Sequence, residues 1–128
     1  MPLPPLLAAT AVFSGVVLTA TIAAAQPSTA RGQISVAQVR AMLDQAPTNP
    51  TARQVLTAYL GGAGETAGWL LDAAHDRGAP PCARRLTLDA QQARDAIAGA
   101  AGTAATETPA TPLIIRDMLK RAGCRLTE

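Results

Sequence analysis

The sequence predicts an all-α fold: a small four-helix domain with one disulfide, preceded by a signal peptide. Three observations carry that expectation. Apolar residues recur at helical spacing, most persistently at Leu56, Tyr59/Leu60, Ala63, Ala67, Leu70/Leu71 and Ala74, while no segment alternates with the period of two that a strand requires. Glycine and proline punctuate these runs, with Pro47, Gly78, Pro80, Pro81, Pro112 and Gly123 at the expected starts and stops. The chain has two cysteines, Cys82 just after the longest periodic run and Cys124 close to the end.

The amino-terminal stretch reads as a leader. Leu6 to Ala25 carries no charge and ends in Ala23-Ala24-Ala25 before Gln26-Pro27, an A-x-A cleavage pattern. Its apolar core, residues 6–18, falls short of the ~20 residues a membrane span needs, and Thr10, Thr19 and Thr21 weaken a spanning reading further. One feature departs from the pattern: "MPLPPLL" contains no Lys or Arg. A retained anchor is the competing reading, and a cytosolic chain the weakest. The expected organisation is a signal peptide over 1–25, a flexible polar linker over 26–34 and a helical domain over 35–128. Cleavage after Ala25 would place a single domain of roughly 100 residues in the periplasm.

Four helices follow in order. Ser35 with Gln38 makes a capping-box signature for a first helix carrying Val36, Val39 and Leu43, which Pro47 ends. Asn49 caps the second, with Pro50 at its first position, and Gly78 stops it. Gly61, Gly62, Gly64 and Gly68 interrupt that helix, each costing ~1 kcal/mol of propensity. The apolar stripe keeps its phase across them, so one continuous or mildly kinked helix is expected, with the glycines either admitting a close neighbour or marking a kink. Thr87 is the expected cap of a third helix with Ala90, Ala93, Ile97 and Ala100 inward, and "GTAATETPAT" is expected as a loop or frayed end. Thr111-Pro112 open the last helix, which places Ile114, Ile115, Met118, Leu119 and Ala122 on its apolar side.

In the oxidising compartment that such a leader implies, an even pair of cysteines reads as a disulfide between Cys82 and Cys124. Two alternatives stay open and weaker. A metal site needs three or four ligands, and two cysteines plus the single His75 show no paired-ligand spacing. A Cys82 nucleophile with His75 as base needs a third, orienting group that nothing nearby supplies. No serine–histidine constellation exists to complete a triad, so no catalysis, cofactor or metal is expected.

A net charge of +2 is too near neutral to argue for nucleic acid or an anionic membrane surface. The charge is uneven, however. Arg84, Arg85, Arg116, Lys120, Arg121 and Arg125 gather around the two cysteines if these are joined, and form a basic end. Glu65, Trp69, Asp72 and Asp76 share one helical stripe offset from the apolar face. Two readings of Trp69 compete: a residue at the core boundary beside a solvated acidic edge, or an aromatic anchor rimmed by carboxylates for a partner with a basic groove rim. Contact between the acidic edge of one copy and the basic end of another is a further expectation, one that salt would weaken.

The segments "AYLGGA", a Pro-Cys loop, "TLDAQQ", a proline-led last helix and "RAGC" together resemble the type VI amidase immunity (Tai) family. The specific elements are Tyr59-Leu60-x-Gly62, Cys82 and Ala122-x-Cys124, within a resemblance spanning residues 35–125. It implies packed helices, a Cys82–Cys124 bridge, no catalysis, and a periplasmic role in binding and occluding a cell-wall-degrading type VI secretion effector. It also implies that a homodimer can form. Tyr59 is expected in the core with its hydroxyl on a polar neighbour, and Gly62 as a close-packing position beside it. The runner-up is a structural or chaperone-like periplasmic helical module without a toxin partner.

Overall fold

The computed structural model describes residues 28–125; the expected leader over 1–25 lies outside the described residues. Five helices follow one another: α1 (Val36–Gln45), α2 (Pro50–His75), α3 (Ala90–Ala96), α4 (Ala104–Glu107) and α5 (Ala110–Arg121). The expectation of four is corrected by α4, a single turn inside "GTAATETPAT". That turn has no side-chain cap, so no local sequence signal announced it. It is held by burying Ala105 against α1.

The first two helices begin where the sequence places them. The Ser35 hydroxyl accepts from the Gln38 amide, and the Gln38 side chain returns to the Ser35 amide at 2.9 Å. Asn49 accepts from the Ala52 amide, and Pro50 occupies the first position of α2, where a missing N–H costs nothing. α2 then runs unbroken for 26 residues, about 39 Å. Its buried stripe is Leu56, Leu60, Ala63 and Ala67. The wider apolar face expected to include Leu70 is corrected: Leu70 is exposed.

The other two starts differ from expectation, each for a stated reason. α3 is capped by Asp89 rather than Thr87: the Asp89 carboxylate takes the Gln92 amide at 2.8 Å and Gln92 closes the box. α5 starts at Ala110, before the expected Thr111-Pro112, and no side chain caps it. Its first amide donates instead to the Ile34 carbonyl at 2.9 Å, while the Val36 amide of α1 donates to Thr108 at 2.9 Å. The two helix starts thus satisfy one another's orphan donors through the isolated bridge Ser35–Pro109.

Residues 28–34, expected as flexible linker, are folded into a turn. Thr29 is buried, and its amide and hydroxyl both bond to Gln33. Ala30 reaches across to the Glu107 carboxylate at 3.2 Å. Its local hydrogen bonds run through Thr29, while the other residues of the stretch are exposed.

One core cluster joins all five helices: Val36, Val39 and Leu43 of α1, Leu56 and Leu60 of α2, Ala93 of α3 with its cap Ile97, Ala105 of α4, and Ala110 and Ile114 of α5. Valine, leucine and isoleucine supply most of it, with alanines at 93, 105 and 110 between them. Arg40 secures the end of α3, donating to the Ala100 carbonyl at 2.7 Å, where a cation also meets the negative end of the helix dipole. No helix among the described residues is long and apolar enough to cross a membrane.

Candidate functional site

The Cys82–Cys124 disulfide is present, with the two Cα atoms 4.2 Å apart. It joins the loop after α2 to the tail of α5. Two further contacts seal the same corner. The Arg84 amide donates to the Ala122 carbonyl at 2.9 Å. Gly123, at φ 68°, has the Ala83 methyl 3.0 Å from where a Cβ would stand, so only glycine fits there on both counts. Ala122 itself is buried. The corner is rigid by construction.

Tyr59 is half-buried against the core, and its hydroxyl shares a 2.9 Å hydrogen bond with Thr111 at the start of α5. Burial pushes its phenol above the ordinary value, and the Thr111 bond offsets part of that rise. Leu60 is buried beside it. Gly62 is not the close-packing position expected. It is exposed, and an added Cβ would meet nothing within 4 Å, as at Gly61, Gly64 and Gly68. Gly62→Ala should therefore stabilise the isolated protein by about 0.5–1 kcal/mol in urea unfolding, through helix propensity alone. A loss of stability would mean that something packs against this face in solution.

Gly62 begins the stripe on which the sequence placed the partner-facing residues. Glu65, Trp69, Asp72 and Asp76 follow it along the outer side of α2, all exposed. Their Cα atoms extend over about 16 Å of helix. Trp69 is 71% exposed, which leaves it outside the core boundary, and Val55 and Leu70 add exposed apolar surface on the same helix. Ion pairs among the described residues are Arg94–Asp44 and Arg121–Asp117, so the three carboxylates around Trp69 stand without a cationic partner there. Asp72 also forms one wall of a cleft of about 430 Å³ against Pro80, Pro81 and the disulfide. His75, at the end of α2, shares a 3.0 Å bond with the Ala79 carbonyl.

The structure therefore separates the residues of interest into two groups. Trp69 and its acidic neighbours lie on the outer face of α2, while Tyr59 and Leu60 face inward from the same helix. Cys82, Ala122 and Cys124 lie in the sealed corner, where Arg84, Arg85 and Arg121 surround a separate recess with Thr87 and Gln92. The roles of Thr87 and Gln92 in that recess escape a sequence reading that makes Thr87 a helix cap. The signal that could have revealed them is the Asp89-x-x-Gln92 box, which starts α3 two residues later and releases Thr87. Among the described residues no three His, Cys, Asp or Glu side chains gather closely enough to hold a metal ion.

Comparison with known proteins returns no matching family model, no similar curated protein and no similar solved structure.

Proposed function

We propose that this chain acts by binding another protein, as an exported immunity protein that occludes a cell-wall-degrading effector of the amidase type. The observation that carries the reading is Trp69. An indole 71% exposed on a continuous helix leaves a large apolar surface in water, and it is flanked by Glu65, Asp72 and Asp76, which have no ion pair among the described residues. Such an arrangement suits a partner whose groove is apolar at its centre and basic at its rim. The order Tyr59-Leu60-x-Gly62, Cys82 and Ala122-x-Cys124, with its resemblance to the amidase immunity family, supports the choice of effector class. The sealed corner supports a binding role as well, because a preorganised surface loses less entropy on association.

Trp69→Ala should weaken effector binding by about 2 kcal/mol, roughly 30-fold in Kd, with helical content unchanged. Titration calorimetry against a purified amidase-type effector, sought among the genes neighbouring this chain's own, measures it. Co-expression supplies the functional arm: the wild type should rescue cells in which that effector is directed to the periplasm, and the variant should rescue poorly. Equal binding by a folded Trp69→Ala variant removes the anchor, and failure of the wild type to rescue removes the immunity reading.

A further inference from the structure

We propose that the recess beside the disulfide is a binding site for a phosphate group carried on a larger molecule. Arg84, Arg85, Thr87, Gln92 and Arg121 line it, and among the described residues no carboxylate does. Three arginines therefore border one space. The nearest compensating charge is Asp117, already engaged with Arg121 Nε at 2.7 Å. Arg84 and Arg85 have no ion pair among the described residues.

The hydrogen bonding of Thr87 carries the argument past bulk charge. Its hydroxyl oxygen accepts from Arg121 Nη1 at 3.2 Å and from Gln92 Nε2 at 3.3 Å. Both of these nitrogens can only donate, so the hydroxyl of the exposed Thr87 keeps its proton for a third atom. Arg121 Nη1 also donates to the Thr87 carbonyl at 3.1 Å, while its Nη2 is buried without an acceptor among the described residues, so Arg121 braces the wall of the recess and Arg84 and Arg85 are the arginines without an ion pair there. The recess thus holds a surplus of donors and cations and a shortage of acceptors. A phosphate supplies negative charge together with several acceptor oxygens, and it matches the fork of a guanidinium. At about 470 Å³ the space exceeds one phosphate, which leaves room for the group that bears it.

The fold holds this arrangement in place. The disulfide and the Arg84–Ala122 backbone bond fix the loop carrying Arg84 and Arg85 to the end of α5, which carries Arg121. These residues are distinct from Trp69 and its acidic stripe, so the site stands or falls independently of effector binding.

The test is an NMR titration of the oxidised protein with inorganic phosphate at constant ionic strength, chloride being the replaced anion. Saturable shifts should centre on residues 83–87 and 120–121. The Arg84→Gln/Arg85→Gln double variant should weaken binding about tenfold or more, Thr87→Val should weaken it too, and Arg53→Gln, which lies outside the recess, should leave it unchanged. Circular dichroism checks that each variant is folded. Shifts that grow linearly without saturating, or a double variant no weaker than Arg53→Gln, would overturn the proposal.

Vesicles of phosphatidylglycerol and of phosphatidylcholine then identify the source. If phosphate saturates the site and also displaces the protein from phosphatidylglycerol, the ligand is a lipid headgroup. If phosphate saturates the site and neither vesicle binds, the ligand is a soluble phosphate compound. Vesicle binding without saturable phosphate binding is diffuse electrostatic attraction and overturns the discrete site.

Discussion

Replacing Cys82 and Cys124 together by serine should lower the unfolding free energy by about 4 kcal/mol. The figure follows from loop closure: a bridge across about 43 residues removes that much entropy from the unfolded chain. In a domain of this size it corresponds to a fall in Tm of ~15 °C or more. The native side adds to the effect, since the Arg84–Ala122 bond and the Gly123–Ala83 contact lie beside the bridge and depend on the loop staying in place. Thermal unfolding with and without reductant measures it directly. If reductant removes the bridge and the unfolding transition does not move, the bridge is not what holds this corner.

Ile114→Ala should cost about 3 kcal/mol, within the range for large-to-small changes at fully buried aliphatic positions. Ile114 is 0% exposed, and of the core side chains only Ile97, Met118, Val36 and Val39 rival it for size among the fully buried. The core cluster to which it belongs also contains Ala93, Ala105 and Ala110. Alanine methyls have no rotamers with which to fill the space an isoleucine leaves, so the cavity persists and its cost is felt in full. Leu70→Ala is the control. Leu70 is 53% exposed, and its loss should change stability by no more than about 0.5 kcal/mol. Equal effects at the two positions would mean that the core has been wrongly assigned.

The contrast between Leu70 and Leu60 shows what the sequence could and could not convey. Helical periodicity places both on the apolar side of α2, but periodicity reports a face and not the neighbour that covers it. α1 and α2 were legible because their caps are side chains: Ser35 with Gln38, and Asn49 with Pro50. α5 was displaced in the reading because its cap is the Ile34 carbonyl, a backbone group far away in the chain that leaves no mark on local sequence. α4 escaped for a related reason, being a single turn held by the burial of Ala105. The disulfide was legible from an even pair of cysteines taken together with the oxidising compartment that the amino-terminal stretch implied. The recess was half legible. Its arginines stand out as charge, whereas the bonding of Thr87 becomes visible only when α3 and α5 are brought together.

The glycines of α2 were read as admitting a close neighbour or marking a kink, within a helix expected to continue across them. The helix does run on from Pro50 to His75, and an added Cβ at any of the four would meet open space, so the close approach expected at Gly62 is not there. Within the isolated chain they only weaken the helix, by ~1 kcal/mol apiece relative to alanine.

The knot between residues 34–36 and 108–110 bears on how the molecule assembles. Local contacts can form α1 and α2 early, as a hairpin. The first amide of α1 then has no acceptor until Thr108 arrives, and Ala110 has none until it meets Ile34. A nascent chain that stops short of α5 is therefore left with a loose start to α1, and the fifth of the described helices is the one that locks the first.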